Sequence, residues 1–435
     1  MTDLLDELRW RGLLHQVTDE AGLKAYLAAG VGTIYAGFDP TADSLHVGNL
    51  MALMFLRRFQ RAGHRPLVLV GGATGMIGDP SGKSAERNLL SEEELARNVA
   101  AIEAQVGRFL DYAPAGGHAG PATGPGAVLV NNHDWMKGYD YLAFLRDVGK
   151  HVPVNVMLAK DSVQSRLTGD NGLSYTEFSY MLLQANDFVV LHDRYACRVQ
   201  LGGSDQWGNI TAGIDLGRRL RGAQLFGMTC PLLTDSSGNK VGKTSGGQRV
   251  WLSAEKMSPY LFYQYWVRAE DADVEKYLKF LTELSREEIE ALATSRAERP
   301  HERQSQVRLA EELTRIVHGE EGLAAARRAT DVFFGGDVRQ LSDGELLEVF
   351  ADVPSAELPR ARVGGAGLPL AEALVAAGLA KSNGEARRLV VQGGVYVNNG
   401  RVDAADLALT GDHLVGGRVV VLRSGKKRYA ILKFA

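Results

Sequence analysis

The stretch from Thr33 to Phe59 constrains the fold of this chain more than any other. Thr33-Ile34-Tyr35-Ala36-Gly37-Phe38 has the length and apolar content of a buried strand. Asp39-Pro40-Thr41-Ala42-Asp43-Ser44 is a turn by composition. His46-Val47-Gly48-Asn49 then opens an amphipathic segment with Leu50, Leu53, Met54 and Phe59 on one face. Strand, loop and helix start follow in order, so His46 and Gly48 stand where helical N–H groups point outward and attract phosphate. Gly48 has no side chain, so a flat base could approach the backbone there. The alternation continues to about residue 245, with strands expected at 66–71, 127–131 and 198–202. Helices are expected near 47–62, 91–112, 139–149, 176–190 and 206–220, the second opened by a Ser91–Glu94 capping box. This pattern predicts an α/β domain with a parallel sheet, helices on both faces, and ligands beyond the C-terminal strand ends.

At 435 residues the chain is too long for one ordinary core. Four segments are expected: the α/β domain at 1–245, a helical domain at 246–336, a tether at 337–366 and a small α+β module at 367–435. In the second, Ser258-Pro259 starts a helix, Ser285 and Glu288 form a capping box, and Pro300 marks a break. Gly335-Gly336 marks its end. The last segment reads as a helical pair followed by strands, with a tight turn at Asn399-Gly400 and a second at Ser424-Gly425-Lys426-Lys427. Ala113–Gly126, mostly Ala, Gly and Pro, reads as a surface loop with no assigned function.

Net charge is −3, but its distribution is uneven. From Arg362 to Ala435 there are 11 Lys and Arg against 5 Asp and Glu; the remaining 38 against 47 leave −9 for the rest. A basic end on an acidic body points either to a polyanionic partner or to a solvated basic face. No basic leader precedes an apolar core, and no apolar run approaches a membrane span, so a cytoplasmic address is expected. Cys197 and Cys230 stand alone without CxxC spacing, which argues against a zinc site or a disulfide framework and for buried thiols.

Several clusters carry candidate chemistry. Lys240-Val241-Gly242-Lys243-Thr244 sets two cations and a hydroxyl in a glycine-bearing loop, suited to a polyphosphate whose leaving group gains charge. Taken alone, Lys240 and Lys243 read as solvated loop charges more readily than as phosphate ligands, and His46 alone as a satisfied surface or core histidine. Gly78-Asp79-Pro80-Ser81-Gly82-Lys83-Ser84 has one residue too few between its glycines for a P-loop. It still presents Asp79, Lys83 and Arg87 on a turn. Tyr180, Gln184 and Asp187 recur at i, i+4 and i+7 and share one helix face among apolar neighbours. Either a core network or a ligand satisfies them. Gly202-Gly203-Ser204-Asp205-Gln206 reads as a strand–helix turn in which Asp205 can accept from ribose hydroxyls.

Together, and in this order, these motifs resemble class I aminoacyl-tRNA synthetases, and those between the paired nucleotide motifs narrow the match to the bacterial tyrosyl-tRNA synthetases. The resemblance spans nearly the whole chain. It implies a Rossmann-like catalytic domain, an all-helical anticodon-side domain and an S4-like RNA-binding module. It implies ATP-dependent activation of L-tyrosine and its transfer to tRNA(Tyr), with ATP as a substrate accompanied by Mg2+, no zinc, no organic cofactor, and a homodimer. Tyr35 and Asp187 would meet the substrate phenol, while Asp79, Tyr180 and Gln184 would hold its ammonium and Gln206 its carboxyl region. Asp39, His46, Gly48, Asn49, Asp205 and Lys243 would bind ATP. Thr41, His46, Lys83, Arg87, Lys240, Lys243 and Thr244 would stabilise the departing pyrophosphate. Asn132, Trp135 and Gln200 also fall in or near the pocket. Lys381, Arg387, Arg388, Lys426, Lys427 and Arg428 would contact RNA phosphates. Asn49 and Ala36 depart from residues frequent in the family. Tryptophanyl-tRNA synthetase is the nearest rival, and an inactive RNA-binding paralogue a second; both phosphate motifs argue against the latter.

Overall fold

The computed structural model describes residues 3–79, 91–114, 120–122, 124–167, 172–244, 246–351, 353–425 and 428–435. Lys83, Arg87, Lys426 and Lys427 lie outside the described residues. The chain forms two compact units, Met1–Ser258 with Gln264–Val317, and Pro259–Tyr263 with His318–Ala435. The expected helical stretch divides between them beside Gly319, where a φ of 75° interrupts the helix Gln304–Phe333.

The first unit is built on six strands: β1 (Gln16–Val17), β2 (Thr33–Phe38), β3 (Arg65–Val70), β4 (Val128–Asn131), β5 (Val199–Gly203) and β6 (Phe226–Cys230). Their order is β1-β6-β5-β2-β3-β4. All neighbours run parallel except β1, which pairs antiparallel with β6. The chain steps outward from β2 to β4, then returns to place β5 on the other side of β2. That reversal is the topological switch point at which such sheets open a crevice. β1 and β6 had no counterpart in the sequence reading. β1 has only two residues, and Gly227 and Cys230 give β6 little of a strand's composition.

The other expected elements form, but the helix expected to reach 112 ends at Val106 and the one expected to stop at 190 runs to Tyr195. His46 and Asn49 cap the helix Val47–Arg61, whose Leu50, Leu53, Met54 and Phe59 are fully buried. Ser91 and Glu94 cap Glu92–Val106, and Ser285 and Glu288 cap Arg286–Glu298. Arg58 is also buried in the first of these helices. With Arg11 it donates to the carbonyls of Lys279 and Thr282, at the end of the helix Val274–Leu281, where carbonyls lack helical partners. Helices Tyr175–Tyr195 and Trp207–Arg221 meet at Gly213, where a Cβ would lie 3.1 Å from the Phe188 ring. That close approach sets Asp187, the residue before Phe188, at the foot of the crevice. Cys197 and Cys230 are free and buried, and burial pushes both thiols up to about 12.

The second unit carries β7 (Ser355–Leu358), β8 (Leu368–Pro369), β9 (Val395–Val397), β10 (Gly400–Arg401), β11 (Ala408–Leu409), β12 (Val419–Ser424) and β13 (Arg428–Phe434). One sheet runs β10-β9-β12-β13-β7, and β8 pairs with β11. β7 lies inside the stretch read as a tether, yet it pairs in parallel with β13 from Ser355↔Ile431 to Leu358↔Phe434. The hairpin turn falls one residue earlier than expected. Asn398 and Asn399 take the positive φ angles, 48° and 62°, and Gly400 already pairs with Val397. Asparagine tolerates this conformation, so the Asn-Asn pair makes the turn and the glycine begins the strand.

Candidate active site

A cavity of about 300 Å3 opens beyond the C-terminal ends of β2 and β5, at the switch point. Tyr35, Asp39, Thr41, His46, Gly48, Asn49, Asp79, Tyr180, Gln184, Asp187, Asp205 and Gln206 all line it. Of the described candidates in this unit, Lys240, Lys243 and Thr244 are not among the lining residues, nor are Asn132 and Trp135, which stand behind Asp187. Lys240 reaches its edge, with Nζ 3.8 Å from the Asp205 carboxylate.

The deep end is built around Asp187, 1% exposed in mid-helix. Asn132 Nδ2 donates to Asp187 Oδ2 at 3.0 Å, and Trp135 Nε1 donates to Oδ1 at 2.8 Å. Burial drives the carboxyl up to about 7, these two donors oppose the rise, and the charge of Asp39 adds to it. Facing this group, the Tyr35 hydroxyl is buried without a hydrogen-bond partner among the described residues, as is Gln200 Oε1. A buried hydroxyl left unmet is costly, so Tyr35 presents an unmet donor to whatever enters. Burial also raises its phenol well above the usual tyrosine range.

Above this lies a chain of amides and carboxylates. Gln206 Nε2 donates to Asp79 Oδ2 at 2.7 Å, Gln184 Nε2 to Gln206 Oε1 at 3.3 Å, and Asn209 Nδ2 to Gln184 Oε1 at 3.0 Å. Tyr180 and Thr74 hydroxyls donate to Asp39 at 3.4 and 3.3 Å. The shared face of Tyr180, Gln184 and Asp187 is therefore a wall of the cavity. Asn209 and Thr74 were missed. Asn209 sits one helical turn after Gln206, a spacing that could have flagged it.

At the mouth, the Gly48 amide donates to His46 Nδ1 at 3.0 Å and the His46 amide to Asn49 Oδ1 at 3.1 Å. With Nδ1 accepting, the neutral imidazole carries its proton on Nε2. A Cβ at Gly48 would stand 2.7 Å from His46 Cε1. Glycine is thus required for the histidine ring itself, a reason distinct from the expected approach of a base. Asn49 supplies the reciprocal half of the capping box, so its departure from the family pattern has a local role.

The RNA-contact candidates lie in the second unit. Lys381, Arg387, Arg388 and Arg428 are exposed, Arg387 and Arg388 within the helix Asn383–Val391 and Arg428 at the start of β13. The Gly425 amide donates to the Gly394 carbonyl at 2.7 Å, joining the late turn to the loop after that helix. Among the described residues no group of three His, Cys, Asp or Glu could hold a metal ion, and no helix is long and apolar enough to cross a membrane.

A parallel sheet with its pocket at the switch point, a capped histidine at the mouth and a lysine loop beside it define a class of nucleotide-binding domain. Residues 29–335 match the class I tRNA synthetases of tryptophan and tyrosine, and residues 345–432 match the tyrosine–tRNA ligase C-terminal domain. The tyrosine–tRNA ligase of Rhodopirellula baltica is 57% identical over 99% of this chain and 96% of its own. That of Bacillus caldotenax is 51% identical over the full length of both. A C-terminally truncated mitochondrial tyrosyl-tRNA synthetase from Aspergillus nidulans superposes with a TM-score of 0.67 at 30% identity, covering 77% of this chain and 95% of that one. The chain belongs to the bacterial tyrosine–tRNA ligases, the tyrosyl-tRNA synthetases of class I.

Proposed function

We propose that this chain activates L-tyrosine with ATP in the switch-point cavity and then charges tRNA(Tyr). The observation that carries the reading is the deep end: a buried acceptor, Asp187, held by two donors and faced by the unmet hydroxyl of Tyr35. A phenol both donates and accepts, so it satisfies the two together; an indole N–H only donates. Asp79, Tyr180 and Gln184 take the substrate ammonium, and Gln206 lies beside the carboxylate.

A tyrosine carboxylate oxygen attacks the α-phosphorus of ATP. The P–O bond to the β-phosphate breaks, and pyrophosphate leaves with the electron pair. A ribose hydroxyl at the tRNA 3′ end then attacks the tyrosyl carbonyl, and AMP departs. The protein positions the reactants and neutralises charge on the leaving pyrophosphate. Thr41, His46 through its Nε2–H, Lys83, Arg87, Lys240, Lys243 and Thr244 serve the phosphates. Gly48 and Asn49 lie with them at the helix start, and Asp39 and Asp205 serve the nucleoside. Mg2+ arrives with ATP rather than in a protein cage.

The roles divide as 1–245 catalytic, 246–336 helical anticodon-side and 367–435 RNA-binding, with Lys381, Arg387, Arg388, Lys426, Lys427 and Arg428 meeting phosphates; 337–366, read as a tether, packs into the last of these. A homodimer is supported by the concentration of exposed large apolar residues between Tyr139 and Tyr175, among them Tyr141, Leu142 and Val154. The site of action is the cytoplasm. ATP–pyrophosphate exchange with each of the twenty amino acids tests the reading: tyrosine alone should support it at low concentration, and equal exchange with tryptophan would overturn it.

A further inference from the structure

Just after the lysine motif in the chain, and bonded to both nucleotide motifs, runs a segment that neither includes, Arg249–Leu252. Val250 is fully buried and uses its backbone on both sides. Its carbonyl accepts from the Val47 amide at 2.9 Å, and its amide donates to the Gly242 carbonyl at 2.9 Å. The Leu252 amide donates to the Leu45 carbonyl at 2.9 Å, an antiparallel bridge pairs His46 with Trp251, and another pairs Lys243 with Arg249. One short extended stretch thus holds the His46 loop on one edge and the lysine loop on the other. Gly242, at a φ of 133°, takes a backbone conformation that side chains disfavour, which lets its carbonyl turn toward Val250.

The side chain of Trp251 adds to this. Its ring meets the His46 ring edge to face, with centroids 6.3 Å apart and planes at 69°. Arg249 and Lys256 place their cations 5.5 and 5.4 Å from the ring centroid, and Lys256 also pairs with Asp43 at 2.7 Å, at the start of the His46 loop. The Gly48 amide holds the imidazole at Nδ1. The edge contact with Trp251 bears on the tilt of the ring, and it is carried on the same backbone that is bonded to the lysine loop.

We propose that Trp251 is a positioning residue for adenylate formation. It sets the His46 ring relative to Lys240 and Lys243, so that histidine and lysines meet the leaving pyrophosphate as one preorganised unit. This rests on the phosphate role assigned above to His46 and the lysine loop. Misplacing a charge-stabilising donor by about 1 Å costs roughly 10²-fold in rate.

The test is a double-mutant cycle on the pre-steady-state rate of adenylate formation, with tyrosine affinity measured in parallel. Trp251→Leu keeps apolar bulk but removes the aromatic face. It should slow adenylate formation about 10- to 100-fold while leaving tyrosine affinity within about twofold, and Trp251→Phe should restore most of the rate. In a His46→Ala background the same Trp251→Leu change should cost less than about threefold, because the group it positions is gone. An equal loss in both backgrounds, or a parallel fall in tyrosine affinity, would show that Trp251 only supports the fold. Should Trp251→Leu not fold, Lys256→Met removes the overlying cation and the Asp43 pair and leaves the ring intact. It should slow adenylate formation about threefold or more, and only when His46 is present; no effect, or the same effect without His46, overturns the proposal. A wild-type protein with no tyrosine-dependent exchange would instead overturn the underlying reading.

Discussion

Replacing Asp187 tests the deep end of the cavity most directly. In the proposed pose the substrate hydroxyl donates to Asp187 and accepts from Tyr35, whose hydroxyl is otherwise buried without a partner among the described residues. Phenylalanine leaves the Tyr35 hydroxyl unmet and Asp187 with only its two protein donors, a lost hydrogen bond at each group worth about 1–3 kcal/mol, and more for a charged one. Two such groups amount to about 2–6 kcal/mol, a preference for tyrosine in kcat/KM of roughly 30-fold to 10⁴-fold. Tyrosyl-tRNA synthetases are the standing example of rejecting phenylalanine without editing, so the direction is known for the family. What is tested is that Asp187 and Tyr35 carry it. ATP–pyrophosphate exchange with both amino acids should show the preference falling at least about tenfold in Asp187→Ala, and less in Tyr35→Phe, which removes only a neutral donor. An unchanged preference in a folded Asp187→Ala protein would refute the assignment.

The same carboxyl predicts a pH dependence. Its value of about 7 lies above the ordinary 3.8, so the folded chain keeps a proton that the unfolded chain releases between those values. Folding stability therefore declines as pH rises through that window, opposite to a salt-bridged aspartate, and Asp187→Asn removes the decline. The phenol needs the ionised acceptor, so tyrosine affinity should weaken as pH falls below about 7, approaching about tenfold per unit. Equilibrium tyrosine binding that stays flat from pH 5 to 8 would count against the pairing.

Three further outcomes are expected. Lys243→Ala and His46→Ala should each slow adenylate formation about 10²- to 10³-fold with little change in tyrosine affinity, since their partners are phosphates; binding weakened as much as rate contradicts this. Arg166 and Glu177 form a bidentate pair at 2.8 Å with side chains 6% and 4% exposed, so Glu177→Ala should destabilise the fold by about 3–5 kcal/mol in denaturant unfolding. A loss under about 1 kcal/mol would mean that the site relaxes or admits water. Arg387→Ala with Arg388→Ala should weaken tRNA binding and lower its log–log salt slope by roughly 0.7–0.9 per lost phosphate contact, with exchange unaffected. Substitution is a cleaner test than cutting at residue 367. β13 pairs with β7, and residues from 329 to 350 share a core cluster with Val419, Tyr429 and Ile431.

The shared face of Tyr180, Gln184 and Asp187, the helix start at His46 and the alternation of the four expected strands with the five expected helices were legible in the sequence. Each depends on a period or cap contained within about two helical turns. The family resemblance added roles to those residues. The hairpin register was misread because Asn398-Asn399 and Asn399-Gly400 both satisfy the local turn chemistry, and only pairing of Val397 with Gly400 selects between them. β1 and β6 escaped notice because short strands are strands only through their neighbours.

By itself the sequence determined which side chains share a face and where helices begin, because those follow from backbone geometry over adjacent residues. Only the tertiary structure decided that Asn132 and Trp135, 55 and 52 residues before Asp187, hold its two oxygens. It alone decided that Val250 bonds to both motifs and that Gly48 must be bare to admit the His46 ring. These facts depend on which distant surfaces pack together, and that choice rests on burial and hydrogen-bond satisfaction across the whole unit, which no short window of residues contains.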